Sequence, residues 1–319
     1  MNKYRKLLKE LKKYDTFLIT SHINPEGDSI GSQLAFAYLL RALGKKSYIF
    51  DAHKPNHRYA FLPHVKSVHT TLNPLIKYDA ICFLDCADIK RVGDVKEKID
   101  LSKPKINIDH HLSSTRFGDF NLIQANTSST AEILYSLFKE AGVKINKDTA
   151  ICLYAAILTD TGSFSYSNVT SFTHKVTSEL LKTHLDVTKV HKNIYENTSP
   201  AAMRLLGEAL ATLELSRDNK IAWMEINKNM LKKSRARLAD EEDFINFPRS
   251  VTGVKVAVLF TDMGKNRIKV GLRSNSVIDV NEIASYFKGG GHKKASGCLI
   301  EGPMREVKEK VLRLVRKYV

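Results

Sequence analysis

The sequence predicts an α/β protein: a mostly parallel sheet flanked by helices, joined by a helical connector to a smaller α/β domain. Three observations carry that prediction. Short apolar runs alternate with helical patterns through the first half of the chain. Ionisable residues recur where those runs end. A second series of apolar runs follows a polar helical stretch near residue 200. Strands that alternate with helices form parallel sheets covered on both faces, and such sheets collect ligands at the carboxyl ends of their strands.

The opening MNKYRKLLKELKKY is an amphipathic helix with Leu7, Leu8 and Leu11 on one side, and it lacks the apolar core and cleavage site of a secretory signal. TFLIT (16–20) is a buried strand, and SIGSQLAFAYLLRALG (29–44) a helix stopped by Gly44. KSYIF (46–50), AICFLD (80–85) and KINID (105–109) are further strands. STAEILYSLFKEAG (129–142) and KDTAICLYAAILTDTG (147–162) have the apolar spacing of helices, each ended by glycine. From about 163 the pattern is helical and more polar, and NTSPAAMRLLGEALATLEL reads as a long connector. IAWMEI, VKVAVLF and RIKVGLRS then read as strands, followed by the helices DVNEIASYF and REVKEKVLRLVRKYV. The expected division is a first domain over 1–190, a connector over 191–215 and a second domain over 216–319.

At 319 residues with 43% apolar content, the chain is long enough for two buried cores. No apolar stretch is long enough to span a bilayer, so no membrane partner is expected. The net charge of +16 is dispersed without a block. Most of the lysines are read as solvated helix faces whose summed field draws anionic substrates. Duplex DNA is not an expected partner, because no helix-turn-helix, zinc-finger or aromatic RNA-binding motif is present. Cys82, Cys86, Cys152 and Cys298 have neither disulfide-framework nor zinc-ribbon spacing, which suits a reducing cytoplasm.

Site chemistry begins in SHINPEGDSIGS (21–32), where His22, Glu26 and Asp28 follow the strand TFLIT. Asp85 ends AICFLD, while Asp109, His110 and His111 end KINID; Asp160 closes a helix. A parallel sheet would bring the strand-end groups to one rim. Carboxylates gathered there repel one another unless cations neutralise them. Mixed carboxylate and imidazole ligands suit Mn²⁺, or Mg²⁺ with more water. The ligands suffice for two ions, a pair that typically clamps the attacking and leaving oxygens of a phosphoryl displacement. Taken singly, Asp28 reads as an N-cap of the following helix, Asp85 as a turn former, and His110–His111 as a loop pair. Jointly, the four converging segments outweigh those readings. His53, His57, His64 and His69 lack acidic partners and read as a polar surface loop; Cys82 and Cys86 read as core filler.

A second cluster is KGGGHKKASGC (288–298), where consecutive glycines allow backbone N–H groups near an anion, with His292, Lys293 and Lys294 beside them. The competing reading is a tight turn. LRSNS (272–276) adds Arg273, a guanidinium suited to bidentate phosphate contact.

These motifs resemble the DHH phosphoesterase superfamily, in the branch with a DHH-associated C-terminal domain, the bacterial oligoribonucleases with pAp-phosphatase activity. IDHH (108–111) is similar to the motif that names the family, and HINPEGDSIGS, LDCAD (84–88) and LTDTGSF (158–164) to its other motifs; GGGHKKASG (289–297) resembles the signature of the associated domain. The resemblance implies that His22, Glu26 and Asp85 hold one Mn²⁺, and Asp28, Asp85, His110 and Asp160 the other, with Asp85 bridging. It implies that Asp109 orients its neighbouring histidine and that His111 sits near the scissile phosphate. It also implies that Arg273, Ser274, Gly290, Gly291 and His292 bind the terminal phosphate or nucleotide across a cleft. Glu26 departs from the family's usual Asp.

The implied activity is metal-dependent hydrolysis of very short single-stranded RNA, linear dinucleotides included, to mononucleotides, and of pAp to AMP, with a homodimer compatible. The rival readings are a cyclic-dinucleotide phosphodiesterase using the same centre and a non-catalytic nucleotide-binding protein.

Overall fold

TFLIT forms the predicted strand, β1 (Thr16–Thr20), and buries side chains on both faces: Phe17 and Ile19 on one side, Leu18 on the other. The computed structural model describes residues 2–241 and 243–319, which divide into two units, Met1–Asn197 and Thr198–Val319.

In the first unit β1 joins β2 (Lys46–Phe50), β3 (Val68–His69), β4 (Ala80–Leu84), β5 (Lys105–Asp109) and β6 (Phe120–Ile123) in a wholly parallel sheet, ordered β3-β2-β1-β4-β5-β6. The order reverses between β1 and β4, so the crevice beyond their carboxyl ends is where such sheets place ligands. The face carrying Phe17 and Ile19 is covered by α1 (Lys3–Leu11), α2 (Gly27–Ala42), α4 (Thr130–Ala141) and α5 (Lys147–Asp160), whose Leu11, Ile30, Phe36, Ile133, Phe138, Leu153 and Ile157 are buried in one cluster. α6 (Ser171–Leu181) and α7 (Val187–Tyr195) add Val176, Leu180, Val190 and Ile194 to it. On the opposite face Leu18, Ile81 and Phe83 pack with Val92 and with Val95 of α3 (Val95–Lys98).

α2 and α5 approach closely because Gly31 has no side chain: a Cβ there would stand 2.4 Å from the carbonyl oxygen of Cys152. α2 begins at Gly27, two residues before the predicted start. Its N-cap is Glu26, whose side chain caps nothing, and Asp28 lies inside the first turn rather than capping it. α4 and α5 match their predictions, with Ser129 and Asn146 as N-caps and Gly142 ending α4 in the left-handed conformation. The edge strands β3 and β6 have two and four residues, too short for a periodic signal.

The second unit holds a mixed sheet, ordered β11-β12-β10-β9-β8-β7, in which only β8 and β9 pair in parallel: β7 (Glu214–Leu215), β8 (Ile221–Ile226), β9 (Val256–Gly264), β10 (Arg267–Ser274), β11 (Gly290–His292) and β12 (Ala295–Glu301). Lys265 and Asn266, both at positive φ, make the two-residue turn from β9 to β10. α11 (Val280–Tyr286) and α12 (Met304–Val315) bury Ile283, Val311 and Val315 against one face. α8 (Pro200–Leu210), α9 (Lys228–Ser234) and α10 (Asn246–Arg249) belong to this unit as well. α8 lies in the stretch read as a connector, and there Leu205 and Ala209 pack with Met224, Ile226 and Leu259. No helix among the described residues is long and apolar enough to cross a membrane.

Candidate metal centre

The first unit gathers seven of the eight residues expected at its metal site into one bonded cluster. His22 follows β1, Asp28 opens α2, Asp85 follows β4, Asp109 ends β5 with His110 and His111 behind it, and Asp160 ends α5. Asp85 is buried and takes the left-handed conformation (φ 55°), one that Asp tolerates better than most residues; it turns the chain off the strand end. Its carboxylate is the hub. His110 Nε2 lies 3.6 Å from Oδ1, His111 Nδ1 lies 3.6 Å from Oδ1, and His22 Nε2 lies 3.5 Å from Oδ2. His110 Nε2 also lies 3.3 Å from Asp160 Oδ2 and 3.9 Å from Asp28 Oδ2.

Two sets of donors are close enough to share an ion: Asp85, His110 and His111, and Asp28, His110 and Asp160. His110 and His22 aim Nε2 at the carboxylates, while a main-chain carbonyl holds Nδ1: Thr127 O at 3.4 Å for His110, Ile23 O at 2.7 Å for His22. That carbonyl bond fixes the tautomer in which Nε2 ligates a metal. Ser29 Oγ donates to Asp85 Oδ2 at 2.6 Å and stands 2.8 Å from His22 Nε2. Because the hydroxyl has one hydrogen, this chain of bonds is complete only with both His22 nitrogens protonated. Burial would lower the His22 pKa, and the Asp85 carboxylate overrides it and raises it. A cation in place of the Nε2 proton keeps the Nδ1 bond intact, so the donor set fits a metal.

The electrostatics fit as well. Burial, together with the charge of Asp85, pushes Asp28 up to about 7. Burial and the charges of Asp28, Asp85 and Glu26 hold Asp160 well above the usual carboxylate range. Burial would raise Asp85 too, but His22, His111 and His110 outweigh it and hold it below that range. Carboxylates pushed apart in this way by proximity are relieved by a cation. His111 is also raised: burial opposes its charge, and the Asp109 bond with the nearby Asp85 favours it more. Asp109 Oδ1 receives His111 Nδ1 at 2.6 Å and the backbone N–H groups of His110 and His111 at 2.9 and 3.2 Å, so the histidine that Asp109 orients is His111.

Glu26 is exposed at the N-cap of α2, and no metal-compatible group among the described residues includes it. His53, His57, His64 and His69 join no such group either; His53 Nδ1 bonds instead to Asn24 Oδ1 at 2.6 Å. The four cysteines are free and buried, and burial pushes the Cys86 thiol up to about 12.

In the second unit the run GGG is part of a hairpin. Gly290, Gly291 and His292 pair with Gly297, Ser296 and Ala295. Gly291 (φ 149°) admits no side chain, since a Cβ would meet Ala295 O at 2.5 Å. Ala295 also pairs with Arg273, so Arg273, Ala295 and His292 share one row across three strands. The side chain of His292 lies outside the described residues. Ser274 Oγ donates to Ser276 O at 3.1 Å and accepts from Ser276 N at 3.2 Å, closing a turn.

Four residues outside the predicted set hold the cluster: Ser29, Thr130, Asn168 and Asp51. Ser29 stands next to Asp28 within the quoted motif and was legible there. Asp51, buried just after β2, accepts from Ser21 N at 3.0 Å and Gln33 Nε2 at 2.8 Å, and so anchors the end of β1. Like Asp85 it follows a strand, and that placement was its only signal.

The DHH-family N-terminal domain matches residues 16–157, and the DHHA1 domain matches residues 219–319. The bifunctional oligoribonuclease and PAP phosphatase NrnA of Thermus thermophilus is 30% identical over 94% of this chain and 89% of its own. The chain belongs to the DHH family. The protein of that name from Bacillus subtilis is 28% identical over 92% of each chain. The crystal structure of an exopolyphosphatase-related protein from Bacteroides fragilis superposes with a TM-score of 0.93, at 28% identity, covering 99% of this chain and 96% of that one. In this DHH-family fold the motif that names the family is Asp109, His110 and His111, at the end of β5.

Proposed function

We propose that this DHH-family chain hydrolyses very short RNA oligonucleotides, linear dinucleotides among them, to mononucleotides, and pAp to AMP, in the cytoplasm. Two Mn²⁺ ions, with Mg²⁺ as the alternative, are held by His22, Glu26 and Asp85 and by Asp28, Asp85, His110 and Asp160. The observation that carries the reading is the convergence of three imidazoles, one following β1 and two following β5, within 3.6 Å of the Asp85 carboxylate that follows β4. The names of the curated relatives supply the substrate class.

Bound ions would supply Lewis-acid charge to the phosphate and acidify a water. The protein residues do the rest. Asp85 lies 3.6 Å from His110, the residue that the two donor sets share. Asp109 accepts a hydrogen bond from His111 Nδ1 and so fixes the ring, whose raised pKa favours a cation suited to the non-bridging oxygens. Arg273, Ser274, Gly290, Gly291 and His292 are assigned to the substrate's terminal phosphate, with Arg273 as its charged donor.

The test is a hydrolysis panel in Mn²⁺: 5′-phosphorylated diadenylate, a five-nucleotide RNA, pAp, cyclic di-AMP and pyrophosphate. Release of AMP from the linear dinucleotide with the cyclic one intact supports the reading. Preferential opening of the cyclic substrate replaces it with a cyclic-dinucleotide phosphodiesterase, and nucleotide binding without turnover replaces it with a binding protein.

A further inference from the structure

The segment just before α4 and at its first turn supplies no candidate ligand, yet it touches the candidate ligands from several sides. Thr127 O faces His110 Nδ1 at 3.4 Å. Thr130 N and Ala131 N donate to Asp28 at 2.7 and 3.1 Å, and Thr130 Oγ1 lies 3.4 Å from Asp85 Oδ1. The segment is tied to the backbone of Asp160 through the side chain of Asn168. Asn168 Nδ2 donates to Asp160 O at 3.0 Å and to Ser128 O at 2.9 Å. One amide therefore staples the end of α5 to the segment that holds Asp28. Its Oδ1 is buried without a partner among the described residues, so the two donated bonds are what set its orientation.

We propose that Asn168 is a positioning residue for the Asp28–His110–Asp160 group: it fixes the Asp160 backbone relative to Asp28, so that both carboxylates reach one ion. The inference rests on the two-metal reading above. Asn168 lies in the loop before α6, and its side-chain amide makes those two bonds to backbone carbonyls. Without them the carbonyls of Asp160 and Ser128 lose their shared donor, and the carboxylates are free to separate. Outer contacts of this kind typically govern metal affinity by about 10–100-fold.

The test is calorimetric titration of the full chain with Mn²⁺, comparing wild type with Asn168→Ala and Asn168→Asp, and with circular dichroism in EDTA to confirm the fold. The expected result is two ions on the wild type, and one of the two weakened about 10-fold or more in both variants, with activity restored by excess Mn²⁺. A purely structural role would lower the melting temperature in EDTA and leave the affinities unchanged. Unchanged affinities overturn the proposal while leaving the two-metal reading standing, whereas a wild type that takes up no Mn²⁺ overturns that reading and this proposal with it. If Asn168→Ala does not fold, Asn168→Ser, with one donor in place of two, carries the same comparison. Failure of all the variants to fold assigns Asn168 to structure and overturns the proposal.

Discussion

Asp28 stands on α2 but closes the N-terminus of α4: its Oδ2 accepts the Thr130 N–H at 2.7 Å, and its Oδ1 accepts the Ala131 N–H at 3.1 Å. The positive end of α4 thus helps hold a carboxylate that burial and Asp85 push toward neutrality. Asp28→Ala leaves two helix N–H groups without an acceptor and is expected to cost about 1–3 kcal/mol. Asp28→Asn keeps one acceptor oxygen and is expected to cost less, while hydrolysis falls on the order of 100-fold or more with the lost ligand charge. Melting in EDTA separates the two effects. An Ala variant as stable as wild type would show that the capping bonds carry no weight.

Proton release should accompany metal binding. With Asp28 raised to about 7 and Asp160 raised as well, protons occupy the site at and below neutral pH and compete with the ion. Apparent Mn²⁺ affinity is therefore expected to fall as pH drops from 8 to 6, by up to about tenfold per unit for each proton displaced. Titration in buffers of different ionisation enthalpy counts those protons. A flat affinity across that range would contradict the assignment of Asp28.

Asp51 gives a stability prediction that needs no metal. Burial raises its pKa from 3.8 to about 6. Between those values the folded state binds more protons at Asp51 than the unfolded one, so the contribution of Asp51 to stability is greatest at low pH and is lost as pH rises through 6. The loss is up to about 3 kcal/mol above that point. Asp51→Asn keeps an acceptor for Ser21 N and Gln33 Nε2 and removes the charge. Ser21 Oγ and Gln33 Oε1, on the two residues that donate to Asp51, are buried without partners among the described residues. The variant should melt higher than wild type in EDTA at pH 7.5, and the difference should vanish near pH 4. A gain that persists at pH 4 would place the effect in packing rather than charge.

His111 and Asp109 should act as a pair. His111→Ala is expected to lose turnover while both ions remain, since each candidate set keeps its other donors. Asp109→Asn takes the acceptor from His111 Nδ1 and should lower kcat with little change in Mn²⁺ uptake. Loss of an ion from His111→Ala would make that histidine a ligand, as its 3.6 Å approach to Asp85 allows.

Much of the fold was legible because it rests on periodic burial. β1, β2, β4, β5, α4 and α5 follow their apolar runs and glycine stops, and a parallel sheet brings their ends together. Elements without such runs were not legible. β11 is nearly all glycine and forms only by pairing with β12. β3 and β6 are short edges. The start of α2 was misplaced because Asp28, which reads as a cap for its own helix, spends its carboxylate on another one 102 residues away. Thr130 and Asn168 were invisible for the same reason: their roles are contacts across the sheet end, and nothing local marks them.

The most direct test is anomalous scattering from crystals of the chain grown with Mn²⁺. The account predicts two manganese peaks bridged by Asp85, one contacted by His22 and Glu26, the other by Asp28, His110 and Asp160. A single peak, or manganese away from Asp85, would contradict it.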